Sequence, residues 1–290
     1  MAKIDQIEKY IAYQKTTDKS KMTLASYRSD LMQFARWFQK VNNDEVRLHK
    51  ITPTDFRQYK QFLISSQFKP QTINRRLLSL KYFLEWGRHT KKIKYSFPYP
   101  KTVKQNTSKL RWIDKNRQHR LLRHMEEHAN LRDKEIVRIL LNTGLRVQEL
   151  CNLKWVHVTM SDRKGKLIIY GKGQKYREVP LNKDSRNALD ALGYKDKSAK
   201  ADFIFIGQRG TLTPRGIQLM LHRALKNTEF KDISPHQLRH SFCKNLVDAG
   251  VSLEKVAMLA GHARLDTTKL YCKPCFDDLT EAVEKIGEAE

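Results

Sequence analysis

At 290 residues the chain is long enough for two cores, and 56 lysines and arginines against 31 acidic residues leave a formal charge of +25. An excess of that size draws phosphates at long range and exceeds what solubility requires, so it favours a nucleic-acid partner over a neutral small molecule. Four cysteines argue against a disulfide scaffold, no apolar run reaches membrane-spanning length, and the opening MAKIDQIEKY has no signal-peptide core, so a soluble, cytoplasmic protein is expected.

In chain order, Thr23 to Lys40 carries Tyr27, Leu31, Phe34 and Phe38 at helical spacing. Thr52-Pro53 with Asp55 three beyond the threonine is a capping-box start, and Phe56, Tyr59 and Leu63 form the inner face behind it. A third helix is predicted from about Pro70 to Trp86, with Ile73, Leu77, Leu80 and Leu84 facing in. Its Asn74, Arg75, Arg76 and Lys81 make a basic strip, read either as a solvated face or as a contact for a DNA backbone. A helical domain over residues 1–95 follows. The stretch from Lys91 to Arg111 holds two prolines and seven basic residues without helical period, and residues 96–111 read as an extended basic linker.

A second domain is expected over 112–290. Helical segments from Asp114 to His128 and Arg132 to Asn142 lead into TGLRVQEL, where Arg146 opens a short helix with Glu149 on the adjacent position. VHVTM, KLIIYG and KYREVPL alternate as strands joined by turn-rich SDRKG and GKGQ, predicting a three-stranded antiparallel sheet with Lys172 at a hairpin tip. GKG lacks the spacing of a phosphate-cradling loop; Lys175 and Arg177 lie close enough to substitute for Lys172, and any of the three is equally read as a DNA-backbone contact. After a short apolar FIFIG, Thr213 caps a helix whose Arg215, Gln218, His222 and Arg223 are candidates for reading base edges or holding phosphates.

The stretch Ser234 to Tyr271 concentrates the chemistry. Ser234-Pro235 starts a helix on which His236, Arg239 and His240 share nearly one face, and Gly250 and Gly261 punctuate the two segments. His236 and His240 stand four apart as in zinc proteases. Gln237 replaces the glutamate such a site needs and Arg239 repels a cation, so no metal is assigned. Cys272 and Cys275 form a lone CxxC and are read as free thiols. The acidic FDDLTEAVEKIGEAE places Phe276, Leu279, Val283 and Ile286 on one stripe, a helix over 276–287 docked either on its own domain or on a neighbouring protomer.

HQLRH, LAGH with Tyr271 nine positions beyond His262, TGLRVQE and the GKGQKYREVPL hairpin together resemble the signature of tyrosine recombinases, the lambda-integrase family. The resemblance is strong from Thr143 to Tyr271 and at the level of fold before Leu110; it is closest in kind to a compact Xer or transposon-resolvase type without an arm-binding domain. It implies a mainly α fold with a small antiparallel sheet: a helical core-binding domain and a mixed α+β catalytic domain closing as a C-shaped clamp on DNA. It further implies Tyr271 as nucleophile forming a 3′-phosphotyrosyl bond and Arg146 and Arg239 holding the phosphate. Lys172 would protonate the departing 5′ oxygen, His236 would take the phenol proton or bond the phosphate, and His262 would donate to a non-bridging oxygen; Glu149 and His240 would support them. Implied partners are double-stranded DNA with inverted-repeat core sites, a homotetramer on two such sites working through a Holliday junction, and accessory DNA-bending proteins, with no cofactor or metal and a nucleoid-associated location. Two rivals are a type IB topoisomerase, which shares the arginine-lysine-tyrosine chemistry on one duplex, and a non-catalytic DNA-binding protein, which would have no use for the phenol.

Overall fold

The computed structural model describes residues 5–17, 19–93, 98–104, 111–171, 176–195, 202–208, 210–262, 264–272, 280 and 283–284, and divides into two compact units, Met1–Ser108 and Lys109–Glu290. Lys172, Lys175, Cys275 and nearly all of the 276–287 helix therefore lie outside the described residues, as does part of the 96–111 linker.

The first unit is helical: α1 (Asp5–Lys15), α2 (Lys21–Asn42), α3 (Pro53–Ser65) and α4 (Pro70–His89), with a 3₁₀ turn at Leu48–Lys50. Ser20 caps α2 by accepting from the Thr23 amide, and Thr52 and Asp55 exchange bonds as the sequence predicts for α3. Pro70 occupies the first turn of α4, where its missing N–H costs nothing. The apolar stripes meet in a core of Tyr10, Leu31, Phe34, Phe56, Tyr59, Leu63, Leu77 and Phe83, with Phe34 edge-on to Tyr59 at 5.0 Å between ring centres. Helix α1 has no counterpart among the predicted elements; only Ile7, Tyr10 and Ile11 are buried on it, a stripe too short for periodicity to separate from chance.

Residues 98–104, part of the stretch read as an extended basic connector, lie against this unit. Tyr99 packs edge-on to Phe56, the Asn74 amide both donates to and accepts from the Val103 backbone at 2.9 Å, and Lys60 donates to the Lys101 carbonyl.

The second unit opens with α5 (Lys115–His128), α6 (Leu131–Thr143) and the short α7 (Val147–Cys151). A 3₁₀ turn at Trp155–His157 leads into β1 (Val158–Met160), β2 (Gly165–Tyr170) and β3 (Tyr176–Pro180), an antiparallel sheet in sequence order with Leu167 opposite both Val158 and Val179. Then come α8 (Lys183–Ala191), a two-residue hairpin of β4 (Ile206–Gly207) and β5 (Gly210–Thr211), α9 (Pro214–Leu225), α10 (Pro235–Asp248), α11 (Leu253–Ala260), α12 (Leu265–Lys269) and a 3₁₀ turn at Leu270–Cys272. Helix α6 is the central element: Ile136, Val137, Ile139, Leu140 and Leu141 are all buried, and α5, α8 and α10 pack around it. Helix α8, absent from the sequence reading, is capped by Asn182 and buries Ser185, Ala188 and Leu189. Among the described residues, no helix is long and apolar enough to cross a membrane.

Candidate active site

The junction between α6 and α7 sets the first group. Gly144 ends α6 in the left-handed region at φ 61°, and a Cβ there would sit 2.2 Å from the Phe242 ring, so only glycine fits. The turn leaves Arg146 as the cap of α7, its amide donating to Glu149 Oε2 at 2.7 Å and its guanidinium to Oε1 at 2.9 Å. Arg146 also donates to the Gly261 carbonyl at 2.5 Å. Glu149 is claimed a second time, by Arg177 from β3, in a two-pronged bond of 2.8 Å on each oxygen. Burial alone would raise the Glu149 pKa; the bonds from Arg177 and from the Arg146 backbone outweigh it and hold the carboxyl down at about 2.

Helix α10 carries the second group. Arg239 is 4% exposed and donates to the Gly144 carbonyl at 2.5 Å and the Ala260 carbonyl at 2.6 Å, so it joins the ends of α6 and α11. Burial first, and then the charge of Arg146, push its pKa down; a guanidinium remains charged at neutral pH even so. One position further along α10, the His240 ring faces the turn Leu270–Cys272, its Nδ1 2.5 Å from the Tyr271 hydroxyl. Tyr271 is fully buried, lies parallel to the His262 ring at 6.2 Å between centres, and touches the Cys243 thiol. His262 in turn shares a 2.9 Å bond between Nδ1 and the hydroxyl of the buried Thr268. Burial, then neighbouring positive groups, lowers both histidines to about 4, so both are neutral at pH 7. Burial and then Cys243 push the Tyr271 phenol well above its ordinary value. The result is a set of guanidiniums around one carboxylate, beside a neutral phenol in contact with a neutral imidazole.

Of the residues singled out in the sequence, Arg146 and Glu149 are bonded to each other, His240 and His262 both lie against Tyr271, and Arg239 binds the carbonyls of Gly144 and Ala260. His236 is exposed in the first turn of α10, its ring 5.7 Å from that of His240. The phenol contact expected of His236 is thus made by His240, because one further helical turn carries a side chain from the rim to the packed face. Arg177, read from the sequence as a substitute for Lys172 or a DNA-backbone contact, is turned inward on Glu149 and on the Leu259 carbonyl at 3.0 Å. Arg215, Gln218, His222 and Arg223 stay exposed along α9.

In the first unit, the basic strip on α4 is engaged internally. Asn74 is tied to Val103, and Arg75 is paired at 2.5 Å with the buried Asp30. Arg76 lies 4.0 Å over the Phe68 ring and is 9% exposed, while Lys81 pairs with Glu85 and sits over Tyr99. Asp30 accounts for part of this: a carboxylate that is 3% exposed needs a cation brought to it.

Three contributors escaped the sequence reading: the inward role of Arg177, Thr268 beneath His262, and Cys243 beside the phenol. A signal existed only for Arg177, which shares the strand face of Val179 by two-residue alternation.

Residues 111–276 match the Phage integrase family, and residues 7–91 match its N-terminal SAM-like domain. The chain is 31% identical over 279 residues to tyrosine recombinase XerC of Staphylococcus epidermidis, covering 92% of each, and 30% identical over 280 residues to XerC of Staphylococcus aureus, covering 87% of this chain and 86% of that one. In fold it is similar to the Tn1549 transposon integrase solved with circular intermediate DNA (TM-score 0.72, 21% identity, 98% of this chain and 99% of that one). It is also similar to XerH recombinase bound to palindromic difH DNA (TM-score 0.75, 22% identity, 96% and 83%).

Proposed function

Because the chain belongs to the phage integrase family of tyrosine recombinases, we propose that it is a site-specific recombinase that cuts and rejoins double-stranded DNA through Tyr271. The observation that carries the assignment of the nucleophile is the 2.5 Å contact between its hydroxyl and His240, on the same helix as the buried Arg239.

In this reading the phenol oxygen attacks the scissile phosphorus, its proton passes to the neutral His240, and the bond to the 5′ oxygen breaks as a 3′-phosphotyrosyl bond forms. Lys172 protonates the departing oxygen. Arg146 and Arg239 bear the charge that develops on the non-bridging oxygens, since guanidinium forks match phosphate geometry and stay charged. His262, with Nδ1 accepting from Thr268, presents Nε2–H to the phosphate, and His236 adds a donor from the rim. Rejoining reverses these steps with the 5′-hydroxyl of another strand, so bond energy is conserved. Since Tyr271 is fully buried, seating DNA has to shift the turn Leu270–Cys272 outward before attack.

The finer arrangement rests on the sequence motifs and on the kinship with XerC. The division into residues 1–95, 96–111 and 112–290 makes two DNA-binding lobes around one duplex; four copies act on two inverted-repeat core sites through a Holliday junction. The acidic 276–287 helix passes between protomers, and the protein works in the cytoplasm on nucleoid DNA. Exposed Arg215, Gln218 and Arg223 on α9 are the candidates for base contact, with Arg75 and Lys81 as backbone contacts once their internal partners are exchanged for phosphate.

The test uses labelled duplexes tiled across the DNA flanking the gene, each nicked to trap a cleaved intermediate. A denaturation-resistant adduct formed by the wild type and lost in Tyr271→Phe, with label on the fragment whose 3′ end borders the break, is expected. An adduct that survives the substitution overturns Tyr271, and binding without any adduct points to site occupancy or to a missing accessory factor.

A further inference from the structure

Arg177 enters the cluster from the sheet side with its side chain turned away from solvent. Its side chain is 16% exposed, against 42% for Arg146. All three of its contacts point into the protein: two parallel bonds of 2.8 Å to Glu149 and one of 3.0 Å to the Leu259 carbonyl. Glu149 spends its remaining capacity on the amide and guanidinium of Arg146. A second, independent observation comes from Gly261, at φ 67°, where a Cβ would lie 2.8 Å from Arg177 Nη1; the Gly261 carbonyl is also an acceptor for Arg146. The backbone has been cleared of a side chain where the Arg177 fork passes. Strand β3 also leads directly from the segment that carries Lys172.

We propose that Arg177 is a positioning residue: through Glu149 and the Leu259–Gly261 backbone it fixes the Arg146 guanidinium relative to strand β3, so that the phosphate-holding arginine is held to the frame of the sheet. This rests on the proposed role of Arg146. Arg177 touches neither phosphate nor base and acts only by orienting groups that do.

Arg177→Ala and Arg177→Lys are compared with wild type on the nicked duplex that traps the adduct. Duplex affinity is expected to stay within about twofold while the cleavage rate constant of the bound complex falls on the order of 100-fold for Arg177→Ala. Lysine is expected to recover little, since a point charge cannot bridge both oxygens. Added guanidinium chloride is expected to raise the rate of Arg177→Ala, relative to potassium chloride at equal ionic strength. Lost affinity with an unchanged rate constant makes Arg177 a DNA contact and overturns the proposal. A second readout needs no DNA: in side-chain Nε–H spectra the Arg146 signal is expected to lose its dispersion in Arg177→Lys while the amides of α7 stay in place. An unmoved Arg146 signal overturns the proposal even where no adduct forms with any duplex, a result that would count against the recombinase reading instead.

Discussion

At the scale of single residues, the centre of this protein is a problem of charge burial. Glu149 is reached by two guanidiniums and is 9% exposed, so removing it strands positive charge in a site with little water. Glu149→Ala is expected to lower unfolding stability by roughly 3 kcal/mol, with Glu149→Gln losing less because it keeps one acceptor oxygen; urea unfolding curves measure both. The two inner histidines set a pH dependence. Both titrate at about 4 in the folded chain, below the ordinary value, because burial and adjacent positive groups oppose protonation. An unfolded chain binds protons there from about pH 6.5 downward, so stability is fully present above that value and is lost as pH falls toward 4. With partial solvent access the loss is about 1–2 kcal/mol per histidine. Glu149 adds its own loss at the low end of this window, because the unfolded chain takes up that proton from the ordinary carboxylate range downward while the folded carboxyl stays ionised to about 2. Urea midpoints at pH 7, 5.5 and 4.5 should fall steadily for wild type and less for His262→Gln; equal slopes would refute this account.

At the scale of elements, two helix ends meet on a third helix: α6 ends at Gly144, α11 at Gly261, and Arg239 of α10 bonds carbonyls at or next to both ends. Helix C-termini present unpaired carbonyls and partial negative charge, which is where a buried guanidinium is best held. Gly144→Ala sets a methyl against the Phe242 ring and forces a left-handed residue, so a loss of about 2–4 kcal/mol is expected, partly recovered by Phe242→Leu in the same chain. Thermal melts of the single and double variants check it; additive losses would mean that the ring is not the obstacle. The helices with long apolar stripes or recognisable caps were readable in the sequence, α2, α3, α4, α9 and α10 among them. Helices α1 and α8 were not, since a short stripe of two or three buried residues is no stronger than chance pattern.

At the scale of the whole molecule, the charge of +25 dominates how the chain meets DNA. Each phosphate neutralised releases counterions, so log affinity should fall linearly with log salt at a slope near −0.9 per contact. For a protein gripping a duplex with both units, a slope of about −6 or steeper is expected in the full chain. Residues 109–290 alone should give a shallower one, and equal slopes would leave the first unit without a role in backbone contact. Fluorescence anisotropy at several salt concentrations supplies both numbers.

The linear sequence determined the chemistry on offer and much of where it would gather. Charge excess pointed to nucleic acid, and HQLRH, LAGH and a tyrosine nine residues on were legible because short helices hold such residues at fixed offsets. Tertiary structure decided which of those residues meet. His240 rather than His236 reaches the phenol, Arg177 turns inward to Glu149, Asn74 and Arg75 find partners in Val103 and Asp30, and Thr268 comes to lie beneath His262. Each of these depends on contacts between elements far apart in the chain, or on which face of a turn packs inward. Local spacing carries no information about the depth of a residue in the core, and depth is what sets the partners, the protonation states and the reach of these side chains.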